Sequence, residues 1–263
     1  FAANMYFDLY PTGKSFLLLS TYKAYGNAIL NYLREMNLNI SLVILNNKQH
    51  QQLYLNTDYF LQFDALLLDA TATNTCNLSN LNSLLCTFSN YGRGIVVANF
   101  THLRSMGLTG AFEEFYHPFT YCDKFSTLSS QQQNTYTSQY HAEGLTIAPN
   151  FVKDHPIMKQ VYIFKGGFHS HHCQCSLSHE DVFEIAKWSD GTPLIAERIN
   201  PMKTAVVVAL NMTAVSSRDW TFWDVLRTDG TWIVYNSLVY AAHWKTYRRT
   251  IWRVGALHMA RSK

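Results

Sequence analysis

The chain has 263 residues, 48% of them hydrophobic and 15% charged, enough apolar content to bury a sizeable core in one large or two small domains. Disorder needs low hydrophobicity and high net charge, which excludes it for a chain whose aromatic residues alone make up 14%, and no apolar run approaches the roughly 20 residues of a membrane-spanning helix. The formal net charge is +3, and five cysteines are too few, and odd in number, for a disulfide scaffold, which favours a reducing compartment.

The chain opens on Phe1 without the charged and apolar regions of a secretion signal, as expected of a processed chain or of part of a longer one. Residues 1–14 read as an aromatic-rich extended arm ending in the turn Pro11-Thr12-Gly13. A buried-strand pattern, Phe16–Ser20, leads through Gly26 to a helix predicted over Asn27–Met36, where Ala28, Ile29, Tyr32, Leu33 and Met36 recur at helical spacing. Further strands are predicted at Ile40–Leu45, at Ala65–Leu68 with Asp69 following, and at Gly94–Ala98, with a helix near 78–88 between the last two. Each strand is a continuous apolar run, not an alternating one, which is the pattern of a parallel sheet covered on both faces.

From about 107 to 150 the rhythm is lost in a long excursion with one short helix near Ala111–Tyr116. Strands then return at Glu184–Trp188, Leu194–Arg198 and Ala205–Leu210. They are joined by Ser189-Asp190-Gly191-Thr192 and Asn200-Pro201, turn signals suited to antiparallel hairpins. A buried helix over Thr231–Trp244 closes the domain.

This order resembles the class I glutamine amidotransferase-like superfamily, and within it the ThuA-like, non-catalytic branches. The residues that carry the resemblance are the strand and helix at 16–36, Phe63–Asp69, Gly92–Asn99, Asp154-His155-Pro156-Ile157-Met158, Gly166–Ser170, Ala186–Leu194 and the helix Asn236–Ala242. It implies an α/β, flavodoxin-like three-layer sandwich over 15–244, with a mainly parallel sheet and an antiparallel hairpin extension. In amidotransferases of this fold a cysteine on a sharp strand-to-helix turn is activated by a histidine after a later strand. The matching turn here is Val97-Ala98-Asn99-Phe100-Thr101, without cysteine, and the matching histidine position reads Asn211-Met212-Thr213. With nucleophile and base both missing, no catalytic residue is assigned and no cofactor is expected.

Ligands of open α/β folds bind at the carboxyl edge of the sheet, so the candidate pocket comprises Ser20, Thr21, Asp69, Asn99, Phe100, Thr101, Gly166, Gly167, His169 and Ser170. The competing reading is that Ser20 and Thr21 cap the next helix and Asp69 satisfies loop amides. His169, His171, His172, Cys173 and Cys175 carry metal-binding side chains. Their alternating spacing on an extended segment points to opposite sides, so a polar loop without metal is the default expectation.

From Lys245 to Lys263 the chain has six basic residues, Lys245, Arg248, Arg249, Arg253, Arg261 and Lys263, and no acid. Removing them from the 21 Lys and Arg leaves 15 basic against 18 acidic side chains, a body of net −3. Trp244, Tyr247, Ile251 and Val254 recur at helical spacing, so 245–263 reads as a basic tail able to form a short amphipathic helix. Such a tail fits a protein assembly with an acidic surface, such as tubulin; nucleic acid fits poorly with a net-negative body. A catalytically silent amidotransferase-like domain in an intraflagellar-transport protein makes a cytoplasmic role tied to the cytoskeleton or cilium the expectation from resemblance. The alternative expectation is a carbohydrate-type ligand-binding protein or hydrolase using the carboxyl edge.

Overall fold

The computed structural model describes residues 13–45, 56–70, 78–99, 101, 108–120, 144–167, 172–216, 222–224 and 226–261, apart from the side chains of 80, 99 and 248–261. Outside these fall most of the expected arm, the centre of the expected excursion, Phe100, His169, Ser170, His171 and Lys263, and the side chains of Asn99, Arg248, Arg249, Arg253 and Arg261.

A seven-stranded sheet forms the middle layer: β1 (Phe16–Ser20), β2 (Ile40–Ile44), β3 (Ala65–Ala70), β4 (Gly94–Asn99), β5 (Phe183–Lys187), β6 (Pro193–Ile199) and β7 (Val206–Leu210). The strand order is β2-β1-β3-β4-β7-β6-β5. The first five of that order run parallel, and β6 and β5 add the antiparallel hairpin extension. The fold is the expected α/β, flavodoxin-like three-layer sandwich.

Side chains alternate across a strand, and here both faces are dry. Phe16, Leu18, Ala65, Leu67, Val96, Val206 and Val208 pack on one face with α1 (Lys23–Glu35) and α5 (Gly230–Arg261). Leu17, Leu19, Leu66, Leu68, Ile95, Val97 and Val207 pack on the other with α2 (Thr57–Phe60), α3 (Asn82–Asn90) and α4 (Ala111–Phe115). Each fully buried Leu, Ile or Phe contributes about 1.5–3 kcal/mol relative to exposure, which is why these strands read as continuous apolar runs.

Helix α1 starts at Lys23, four residues before the predicted Asn27. Gly26 is part of its first turn, where a Cβ would sit 3.0 Å from both Leu42 Cδ1 and the Ser20 Cβ. The missing side chain therefore marks close helix–sheet packing. Its end is a left-handed cap: Asn37 has φ 63°, and the Leu38 amide donates to the Leu33 carbonyl at 3.1 Å.

The largest departure from expectation is α5. The predicted helix Thr231–Trp244 and nearly all of the predicted tail form one uninterrupted helix of 32 residues, Gly230–Arg261, so secondary structure does not break at the expected boundary between Trp244 and Lys245. Nothing in 245–261 stops a helix except a lone Gly255, there is no proline, and basic residues near a helix C-terminus are favoured by its dipole. Ile233, Val234, Leu238, Val239 and Trp244 are buried in the core. By helix rise, the part beyond Trp244 runs for about 25 Å. No described helix is long and apolar enough to cross a membrane.

Candidate functional site

The register of β1 and β3 sets Ser20 beside Asp69, and Ser20, Thr21, Asp69 and Thr101 are all at most 1% exposed. Ser20 is engaged in the turn that begins α1: its Oγ donates to the Tyr22 carbonyl at 3.1 Å and accepts from the Tyr22 amide at 3.3 Å. The same oxygen stands 3.5 Å from Asp69 Oδ2, and the Thr21 amide reaches the Asp69 carbonyl oxygen at 3.3 Å. Burial raises the Tyr32 hydroxyl pKa well above its ordinary value, with the Asp69 charge adding to the effect; that hydroxyl donates to the Ala214 carbonyl at 2.9 Å. Gly166 and Gly167 lie on a different segment, where their amides donate to the carbonyls of Leu145 and Phe222. An edge-to-face contact of Phe222 with Tyr25, centroids 5.2 Å apart, ties that segment to α1. Of the candidate pocket residues, Ser20, Thr21 and Asp69 are thus brought together in buried positions.

At the position that the sequence resemblance matches to a histidine, Asn211 acts as a clamp. Its Oδ1 accepts from the Cys173 amide at 2.7 Å, and its Nδ2 donates to the carbonyls of Cys173 at 2.7 Å and Pro193 at 2.9 Å. Its own carbonyl accepts from the Trp188 indole at 2.9 Å. One buried amide thereby joins the loop 172–175 to the β5–β6 hairpin. Sequence reasoning marked this position as lacking histidine but did not see the clamp, whose only local signal was an Asn directly after a buried strand.

Of the metal candidates, His172, Cys173 and Cys175 are described. The His172 ring is bonded through Nε2 to Asp190 Oδ2 at 2.9 Å, and both thiols are buried and free of disulfides. Among the described residues no three His, Cys, Asp or Glu side chains form a group able to hold a metal ion. Partial burial alone would raise the Asp190 carboxyl pKa, but bonds from the Thr192 hydroxyl and amide and from His172 hold it below the ordinary range. The motif Asp154-His155-Pro156-Ile157-Met158 is likewise used for packing. His155 Nδ1 accepts from the Ile157 amide at 3.3 Å, and Asn236 on α5 donates to the carbonyls of Ile157 and Lys159 at 3.1 and 2.6 Å.

A cavity of about 280 Å³ walled by described residues lies at the opposite, amino-terminal ends of the parallel strands. Lys14, Asp64, Arg93, Thr204, His243 and Lys245 line it. Asp64 organises this end: Lys14 Nζ and Arg93 Nη1 both reach Asp64 Oδ1, at 2.9 and 3.0 Å, and the Ser15 amide donates to Oδ2 at 3.0 Å. Partial burial pushes the Asp64 carboxyl pKa up, but the Ser15 amide, Lys14 and Arg93 outweigh it and hold the pKa low. A carboxylate with a depressed folded-state pKa stabilises above its unfolded value of about 3.9 and loses that contribution as pH falls through the folded value. The thermal midpoint is therefore expected to drop from about pH 5 to about pH 3, with a shallower drop in Asp64→Asn; equal slopes would show that Asp64 carries none of it.

No family model matches the chain, and no curated protein does. Among solved structures, the chain is similar to one named the mmIFT52 N-terminal domain, with TM-score 0.51 and 11% identity over 88% of this chain and 97% of that one. It is also similar to a GMP synthase-type protein of Thermoplasma acidophilum, with TM-score 0.49 and 10% identity over 90% and 98% of the two chains. The first likeness is one of fold.

Proposed function

We propose that the chain is a non-catalytic amidotransferase-like domain that serves as a structural and binding module of a larger assembly, attached through the basic end of α5. The observation that carries this reading is the condition of the carboxyl edge. Ser20, Thr21, Asp69 and Thr101 are buried, Ser20 is engaged in a helix-start turn, and the place of the catalytic base is taken by the Asn211 clamp. A small-ligand site needs convergent polar groups open to a pocket, and these described groups are instead buried.

What remains for interaction is the surface. Helix α5 carries Lys245, Arg248, Arg249, Arg253 and Arg261 without an acidic residue, a run of charge that favours an acidic partner. The likeness to the mmIFT52 N-terminal domain supports a place in a ciliary assembly, and an acidic filament such as polymerised tubulin has the complementary charge.

Cosedimentation with polymerised tubulin at low salt tests this. Binding is expected that weakens as salt rises, with affinity about tenfold lower in Arg248→Gln/Arg249→Gln/Arg253→Gln. A wild-type chain that stays in the supernatant, or a triple variant that pellets equally, overturns the attachment.

A further inference from the structure

We propose that the cavity at the amino-terminal ends of the parallel strands is a binding site for a phosphomonoester, held by Lys14, Arg93 and Lys245. It lies at the other edge of the sheet from the usual ligand site of open α/β folds and does not rest on the assembly reading above.

The charge count comes first. Three cations and one carboxylate line the cavity, so it carries a net charge of about +2 with His243 neutral. A phosphomonoester carries about −1.5 to −2 at pH 7 and three strong acceptor oxygens. The cations are also arranged by their surroundings. Asp64 Oδ1 takes one hydrogen bond from Lys14 and one from Arg93, and the Leu61 carbonyl takes another from Arg93 Nη2 at 3.1 Å. An ammonium has three donors and a guanidinium five, so both keep N–H groups for a ligand while their positions are fixed. Lys14 and Arg93 side chains are only 31% and 35% exposed, which limits the flexibility a bound anion would have to quench.

The third cation is set by a glycine. Lys245 lies across Gly92, where a Cβ would run into its ammonium and stand 3.2 Å from its Cε. Lys245 makes no ion pair with any described residue, so a bound anion would gain its charge without breaking an existing pair. His243 Nε2, also on the cavity wall, is buried and has no hydrogen-bond partner among the described residues. The volume of about 280 Å³ lies just under the roughly 300 Å³ lower bound for drug-sized ligands and suits a phosphate with a short organic stem.

Calorimetric titration of the full chain at constant ionic strength, with inorganic phosphate, O-phosphoserine and a phosphoserine peptide as probes, tests the site. Saturable binding is expected, weakened about tenfold or more by Lys245→Gln, the loss of one charge-assisted hydrogen bond. Lys245 bears no load among the described residues, so this variant should unfold with the wild-type midpoint. Arg248→Gln/Arg249→Gln/Arg253→Gln is expected to bind phosphate as the wild type does. A peptide at least about tenfold tighter than inorganic phosphate identifies a protein-borne phosphate, and comparable affinities a free one; either supports the site. No saturation up to about 10 mM, an unchanged affinity in Lys245→Gln, or loss of binding only in the triple variant overturns it.

Discussion

Gly94→Ala is expected to destabilise the protein by about 3 kcal/mol, the upper range for overpacking a closed core. Gly94 opens β4, and α5 crosses it so closely that a Cβ there would run into the Ala241 carbonyl oxygen and lie 2.5 Å from its carbonyl carbon and 2.6 Å from its Cβ. The obstacle is helix backbone, not the tip of a flexible side chain, so relief requires moving a helix whose Ile233, Val234, Leu238 and Val239 are wholly buried. Ala241→Gly in the same chain removes one of the three clashing atoms and leaves the carbonyl, so it should recover only a minor part. Urea denaturation checks this through the midpoint at unchanged slope. A loss below about 0.5 kcal/mol would mean that α5 is free to slide on the sheet.

Asn211→Ala is expected to cost about 4 kcal/mol, because it strips partners from buried groups instead of merely deleting contacts. The Cys173 amide and the carbonyls of Cys173 and Pro193 each lose a hydrogen bond of 2.7–2.9 Å; the Cys173 carbonyl keeps the bond it accepts from the Cys175 amide at 2.8 Å, so the cost falls mainly on the Cys173 amide and the Pro193 carbonyl, at about 1–3 kcal/mol each. The Trp188 indole bond survives, since it goes to the Asn211 main-chain carbonyl. Asn211→Asp is expected to be at least as damaging, as a carboxylate oxygen would replace the amide nitrogen that faces two carbonyl oxygens. The same urea measurement decides it: a variant within about 1 kcal/mol of wild type would show that water replaces the clamp.

The outcome at Asn211 matters because it measures how far this one side chain holds the fold together. The sequence shows only that the residue after the last buried strand is not histidine. The clamp was hidden because its partners, Cys173 and Pro193, lie 38 and 18 residues away, one in a loop that no periodicity marks and the other at the first residue of β6.

The strands were legible for a plain reason: burial on both faces leaves nothing but apolar side chains along most of β1, β3, β4 and β7. Helix ends were less so. Gly26 reads locally as a break, whereas in three dimensions it is the contact point of α1 with β1 and β2. The run of arginines after Trp244 reads as a change of segment, although helical hydrogen bonding passes through it. The cation cluster around Asp64 could not be read at all, since Lys14 and Arg93 stand 50 and 29 residues from it in the chain and meet only because β1, β3 and β4 lie side by side.

A module that works by attachment should be found attached. The native size of the protein in a gentle extract of its own cells, read by size-exclusion chromatography, tests this most directly. The account expects elution well above the mass of the single chain, shifting to that mass when Arg248, Arg249 and Arg253 are replaced by glutamine; a wild-type protein eluting as a free monomer would contradict it.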